Sequence, residues 1–360
     1  MKHLISALLL VGLLLSVSSA HRDEELFQVI SSHPHDLAEI SPYIETVHQD
    51  GRLWLVRPKD DAPAEVFEHL RMASGREKSY LHSGKRLTKV SKNLLTRNPI
   101  RELVMDIDAK AIKKDVEGLS SYKTRATGTR ENQQALAAVG NRLKNMGYEV
   151  QEICYRAGAC SLIADKLGST SPENVLMVMG HIDSVGADFA GADDNASGTA
   201  VLLEMARVIK DYQSKKTIRF FVTNGEELGL LGAKHYAKYL DEQNKIDELE
   251  LVINMDMVGY NSNGIVELET NREYEAMAQW FSNLAAEYTT LKTKITLGAW
   301  GSDHVPFLEK GVPSLLTIED WNTKTPCYHK ACDKPETLNY HYAASIGMLN
   351  LSAILHKDIQ

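Results

Sequence analysis

NVLMVMGHIDSVGADFAGADDNASG, residues Asn174–Gly198, decides how this chain is read. Its first part, Asn174–Met179, is a continuous apolar run of the kind that forms a strand buried on both faces of a parallel sheet. From Gly180 the character changes to a His-x-Asp and then a Gly-Ala-Asp-Asp-Asn-Ala-Ser-Gly turn that leads into a helical run. An imidazole and several carboxylates set among glycine and alanine suit a hard or borderline divalent cation. Further ligands then have to come from elsewhere in the chain.

Working outward, Thr217–Thr223 (TIRFFVT) reads as a second buried strand with Asn224-Gly225-Glu226-Glu227 as its turn, and Leu249–Met255 (LELVINM) as a third, ending at Asp256. Further strands are expected at Tyr148–Cys154, Ser161–Ala164, Ile265–Leu268, Lys294–Leu297 and Ser314–Ile318. Asp108 can cap a helix whose stripe is Ile112, Val116 and Leu119, and Leu136, Val139, Leu143 and Met146 mark another before Gly147. Ala196–Lys210, Leu228–Leu240, Glu273–Tyr288 and His341–His356 complete the helices. Strands alternating with helices predict an α/β fold, a three-layer α/β/α sandwich around a mixed, largely parallel sheet. In such sheets ligands collect outside the carboxyl ends of the strands. His181, the pair Glu226 and Glu227, and Asp256 all fall there, and His329 arrives from the loop Thr325–Asp333 (TPCYHKACD), where two cysteines flank it.

The chain has 360 residues, of which 43% are apolar and 24% charged, an ordinary globular composition. A net charge of −8 argues against nucleic acid as a partner, which needs a clustered basic face. Met1–Ala20 pairs Lys2 with an apolar run that ends in Ser18-Ser19-Ala20 and reads as a secretory signal. The run is short of the ~20 residues a membrane anchor needs, the alternative reading, and no later segment is expected to insert stably in a membrane. A secreted or periplasmic location follows. There the four cysteines, in the close pairs Cys154/Cys160 and Cys327/Cys332, are expected to form two disulfides rather than a thiolate zinc site. Residues 21–98 offer one convincing strand, Leu53–Arg57, a helix around Ala64–Met72, and a basic end from Arg71 to Arg97. They read as a propeptide, or else as a permanent N-terminal subdomain, ahead of a catalytic domain at 99–360.

Taken in order, GHIDS, GADDNASG, NGEELG, NMDMVGY and the pair Tyr328-His329 resemble the secreted bacterial di-zinc aminopeptidase family, the leucine-aminopeptidase-like co-catalytic zinc exopeptidases. LSSYKTRATGT upstream and GSDHVPF at Gly301–Phe307 extend the resemblance from about Asp106 to the end of the chain. It implies the zinc exopeptidase fold, hydrolysis at the N-termini of peptides or proteins, and a monomeric enzyme holding two Zn2+. The implied ligands are His181 and Asp256 for one zinc, Glu227 and His329 for the other, with Asp193 bridging and a cis peptide between Asp193 and Asp194. Asp183 would accept a hydrogen bond from the second nitrogen of His181, and Asp194 would give similar support. Glu226 would act as general base and Tyr328 as a hydrogen-bond donor to the developing oxyanion. His304 is expected to play a supporting part.

One region departs from the family. Some members carry a tyrosine and a cysteine pair where this chain has Leu297-Gly298-Ala299-Trp300-Gly301. Met257 and Trp300 would favour a leucine-like side chain, whereas Glu319 and Asp320 would favour a basic one. Two other functions share the fold: a single-zinc glutaminyl cyclase, and a non-catalytic ectodomain that keeps the architecture.

Overall fold

The computed structural model describes residues 27–30, 44–50, 53–59, 99–186, 188, 191–261 and 263–360. The chain divides into two units, residues 1–96 and 97–360. In the first, β1 (Phe27–Ile30), β2 (Ile44–Asp50) and β3 (Leu53–Pro58) form an antiparallel sheet ordered β1-β3-β2. The expected strand at Leu53–Arg57 is β3, and its two partners went unread because neither carries a sustained apolar alternation. The signal segment, the helix around Ala64–Met72 and the basic stretch lie outside the described residues.

The second unit is built on an eight-stranded sheet. Its strands are β4 (Glu149–Arg156), β5 (Ala159–Lys166), β6 (Ser171–His181), β7 (Lys216–Thr223), β8 (Leu249–Met255), β9 (Ile265–Thr270), β10 (Lys292–Leu297) and β11 (Ser314–Glu319). They are ordered β10-β9-β11-β8-β6-β7-β5-β4. The middle of the sheet, β11-β8-β6-β7, is parallel throughout, as is the pair β10 and β9. The junctions of β9 with β11, β7 with β5 and β5 with β4 are antiparallel.

Helices cover both faces. α1 (Pro99–Met105), α2 (Ala109–Ser120), α3 (Arg130–Asn145), α4 (Gly198–Ile209), α6 (Glu275–Tyr288) and α8 (Tyr340–Ile359) pack on one side, and α5 (Leu231–Glu242) and the one-turn α7 (Val305–Leu308) on the other. The apolar run of β6 explains the two layers. Leu176 and Val178 enter the core on the first face, and Val175, Met177 and Met179 the core on the second. Each such side chain contributes about 1.5–3 kcal/mol on burial, so a strand apolar at every position holds a layer on each side.

Local chemistry sets the helix ends. The Asp108 carboxylate accepts the Lys110 N–H at 2.9 Å at the start of α2, and the Thr129 hydroxyl accepts the Asn132 N–H at 3.1 Å at the start of α3. α1 was not anticipated, although Pro99 at its first position is the usual helix-starting signal. α5 begins at Leu231 rather than Leu228, because Gly229 and Leu230 take positive φ in a turn whose N–H groups return to the carbonyl of Glu226.

Candidate metal centre and active site

β6 lies between β7 and β8, so the carboxyl ends of these three strands stand side by side. His181 is the last residue of β6, Asp256 follows β8, and Glu226 and Glu227 lie in the turn after β7. The buried His181 ring donates from Nδ1 to the backbone carbonyl of Asp183 at 3.0 Å. Its Nε2 therefore faces carboxylate oxygens, Asp256 Oδ1 at 3.2 Å and Asp194 Oδ1 at 3.4 Å. His329 Nε2 is 3.1 Å from Asp194 Oδ2 and 3.3 Å from Glu227 Oε2. One carboxylate, Asp194, thus stands between the two imidazoles.

That position was expected of Asp193. Asp193 instead turns back into the protein, where its Oδ1 accepts the backbone N–H groups of Gly259 at 2.8 Å and Tyr260 at 3.2 Å. The cis peptide likewise lies one residue later than expected, at Asp194–Asn195. The cause is the wide turn Ala192–Ser197, inside which Asp194 and Asn195 leave helical dihedrals. Two adjacent aspartates look alike by motif, and only the turn decides which one faces outward. The Asp333 carboxylate fixes it, accepting the N–H of Asp193 at 2.8 Å and of Asp194 at 3.0 Å. The bracketing glycines are sterically required: a Cβ at Gly191 would meet the Asp194 carbonyl at 1.8 Å, and one at Gly198 the Met255 carbonyl at 2.4 Å.

Asp183 accepts from the His181 ring at its backbone carbonyl, with its carboxylate Oδ1 3.6 Å from the same nitrogen. Its carbonyl orients His181, while its carboxylate accepts the N–H of Glu226 at 3.3 Å, the N–H of Glu227 at 3.2 Å and the Thr127 hydroxyl at 2.9 Å. It therefore ties the turn carrying both glutamates to the end of β6. The Cys327–Cys332 disulfide brackets Tyr328 and His329, and His329 holds a positive φ of 54°. The second disulfide joins Cys154 and Cys160 across the β4/β5 hairpin. All four cysteines are paired, which removes the thiolate zinc alternative.

The electrostatics reflect carboxylates crowded into a buried place. Burial raises Glu226 to about 10, against the lowering charge of His181 and with further raising by Asp256, Asp303 and Glu227. His329 is raised to about 10 by its hydrogen bonds to Asp194 and Glu227. Burial lowers His181, but the charge of Asp256 and the ring's hydrogen bonds to the carboxylates of Asp183, Asp194 and Asp256 hold it well above its usual value. Glu227 Oε1 is buried with no hydrogen-bond partner among the described residues.

Two contributors were not singled out from the sequence. Arg125, fully buried, donates to the carbonyls of Ile182 and Gly191, both at 2.8 Å, and stitches the two loops together. Burial lowers its guanidinium to about 10, countered first by Asp333. It lies in LSSYKTRATGT, and an arginine in a polar stretch carries no sign that it will be buried. Asp333 follows directly on Cys332 and was likewise unmarked.

A cleft of about 290 Å³ opens beside these groups, lined on the site side by Asp194, Glu226, Asp256, Tyr328 and His329. Met257 and Trp300 line it as expected, joined by Leu316, Ile318 and Trp321. Glu319 and Asp320 do not. Glu319 accepts the Thr325 N–H at 2.8 Å, and Asp320 is held by Lys294 and Asn263. The acidic lining comes instead from Glu267 and Glu269 of β9. His304 is buried on the far side of Glu269, its Nε2 3.4 Å from Oε1.

Among curated relatives, the chain is 36% identical over 198 residues to aminopeptidase YwaD of Bacillus subtilis, covering 52% of this chain and 43% of that protein. It is 34% identical over 199 residues to leupeptin-inactivating enzyme 1 of Streptomyces exfoliatus, covering 50% of this chain and 44% of that one. The chain thus spans less than half the length of these two relatives. Among solved structures, LapB of Legionella pneumophila shares the fold, with a TM-score of 0.67 at 19% identity, over 93% of this chain and 100% of that chain. The family model described as Peptidase family M28 matches residues 162–354, more than half the sequence, and the chain belongs to that family.

Proposed function

We propose that the protein is a zinc-dependent aminopeptidase that hydrolyses the N-terminal peptide bond of peptides and works with two Zn2+. The observation that carries the reading is the paired arrangement around Asp194, with His181 and Asp256 on one side and His329 and Glu227 on the other. Each imidazole turns Nε2 toward two carboxylate oxygens, and Glu227 Oε1 has no hydrogen-bond partner among the described residues. That donor set suits borderline divalent cations, and three carboxylates nearly offset two divalent charges. His181 and Asp256 would hold one zinc, His329 and Glu227 the other, and Asp194 would be shared. When bound, the ions supply Lewis acidity and lower the pKa of water.

The remaining steps belong to the chain's own groups. Glu226, whose N–H is held by Asp183, would be kept ionised by the divalent charge beside it, and its carboxylate takes the proton of the attacking water and returns it to the leaving amine. Tyr328 lines the cleft, and burial together with the nearby carboxylates raises its pKa, so its hydroxyl stays protonated and able to donate to the developing oxyanion. The carboxylates of Asp194, Glu226 and Asp256 along the cleft favour the positive N-terminus of a substrate over an internal peptide bond. Residues 21–98 act in this reading as a prosegment of a protein exported from the cytoplasm, and cleavage in the basic stretch raises activity. The paired disulfides support that location.

A mixed peptide library read by mass spectrometry tests the proposal. Stepwise loss of N-terminal residues, abolished in Glu226→Gln with two zinc ions per chain retained, is expected. Cyclisation of N-terminal glutamine with a single zinc would replace it with the cyclase reading, and an inert chain with the non-catalytic one.

A further inference from the structure

We infer that the side-chain pocket beside the site selects a cationic N-terminal residue, lysine or arginine, through Glu269. This rests on the aminopeptidase reading and names the substrate class of the same cleft. Glu267 and Glu269 lie on one face of β9, two residues apart, and both line the cleft. They differ in what holds them. Glu267 accepts from Lys294 at 2.8 Å, from the Trp321 N–H at 3.0 Å and from the Thr296 hydroxyl, so both its oxygens are held. Lys294 is in turn shared with Asp320 at 3.2 Å, which leaves no spare positive charge there.

Among the described residues Glu269 pairs with no lysine or arginine, and its only ion-pair neighbour is the His304 imidazole. Glu269 is 6% exposed, and one oxygen, Oε1, accepts the Trp300 N–H at 3.0 Å. His304 lies against that same oxygen, and neither nitrogen of its ring makes a hydrogen bond among the described residues. A leucine-like side chain filling the pocket would bury this carboxylate further and bring it no new charge or hydrogen-bond donor, which costs free energy. A lysine or arginine side chain would lay its methylenes along Trp300 and Ile318 and bring its charge to Glu269. The apolar walls therefore fit both classes of residue, and the carboxylate discriminates between them.

The test uses the full zinc-loaded chain with Lys-, Arg- and Leu-p-nitroanilide, and separately calorimetric binding of L-lysinamide and L-leucinamide. The wild type is expected to favour the basic substrates by about tenfold or more in kcat/KM, and Glu269→Gln to remove that ratio mainly through KM. Glutamine keeps an acceptor for the Trp300 N–H, so loss of shape is not the variable. A Lys-to-Leu ratio unchanged in Glu269→Gln, or a wild type favouring leucine, overturns the inference. A chain that hydrolyses none of the substrates but binds lysinamide more tightly, through Glu269, keeps this inference and rejects the aminopeptidase reading. Equal binding of the two amides rejects the inference whatever the turnover.

Discussion

Asp193 and Asp194 are adjacent in the chain and serve opposite sides of it. Asp194 presents its two oxygens to His181 and His329, while Asp193 receives the N–H groups of Gly259 and Tyr260 from behind. Asp194→Asn is expected to lose bound zinc and to lower kcat/KM by more than about a hundredfold, beyond the usual loss for a group outside the ligand set. Asp193→Asn keeps a carbonyl oxygen for the two backbone donors and should retain two zinc ions. Metal content by mass spectrometry decides, and the reverse pattern would return the bridging role to Asp193.

Asp183 holds the turn of Glu226 and Glu227 by their backbone. Asp183→Ala frees both N–H groups and is expected to reduce kcat about 10–100-fold, with weaker zinc retention, at nearly unchanged KM. Stopped-flow turnover and chelator competition measure the two effects. A change confined to KM would show that Asp183 acts on substrate instead.

The positive φ of His329 is unfavourable for a residue with a Cβ, by roughly 1–2 kcal/mol. The Cys327–Cys332 bridge, with a sequence separation of 5, contributes on the order of 2 kcal/mol of chain-entropy stabilisation. Replacing both cysteines by serine should lower the melting temperature modestly and weaken zinc binding through the loss of His329 alignment. Unchanged chelator resistance in the double variant would show that the loop holds His329 unaided.

Tyr148, Tyr236 and Tyr342 are buried, and burial raises all three above the ordinary tyrosine range, Tyr236 to about 12 against the lowering charge of Arg219. Above pH of about 10 the unfolded tyrosines release protons that the folded ones keep. The folded state then binds more protons, and stability falls as pH rises, by about 1.4 kcal/mol per unit for each group until it ionises in the fold. Urea unfolding at pH 8.5 and pH 11 checks this, with a smaller slope expected in Tyr236→Phe. Equal midpoints at the two pH values would contradict it.

Elements whose signal is local were legible. The apolar runs of β6, β7 and β8 and the cap at Asp108 depend on nearest neighbours, and the elements appear within a few residues of their expected bounds. Arg125, Asp333 and Glu269 were not legible, because a lone charged residue in a polar or alternating stretch gives no sign that distant segments will bury it.

The sequence by itself determined the alternation of strands and helices, the cysteine pairs, and the set of histidines and carboxylates that fall at strand ends. The tertiary structure alone decided which of Asp193 and Asp194 stands between the imidazoles, which atom of Asp183 orients His181, and which acidic residues line the pocket. The first set follows from periodicity and composition along the chain. The second depends on backbone direction within single turns and on contacts such as Asp333 with Asp194, 139 residues apart, which no local pattern encodes.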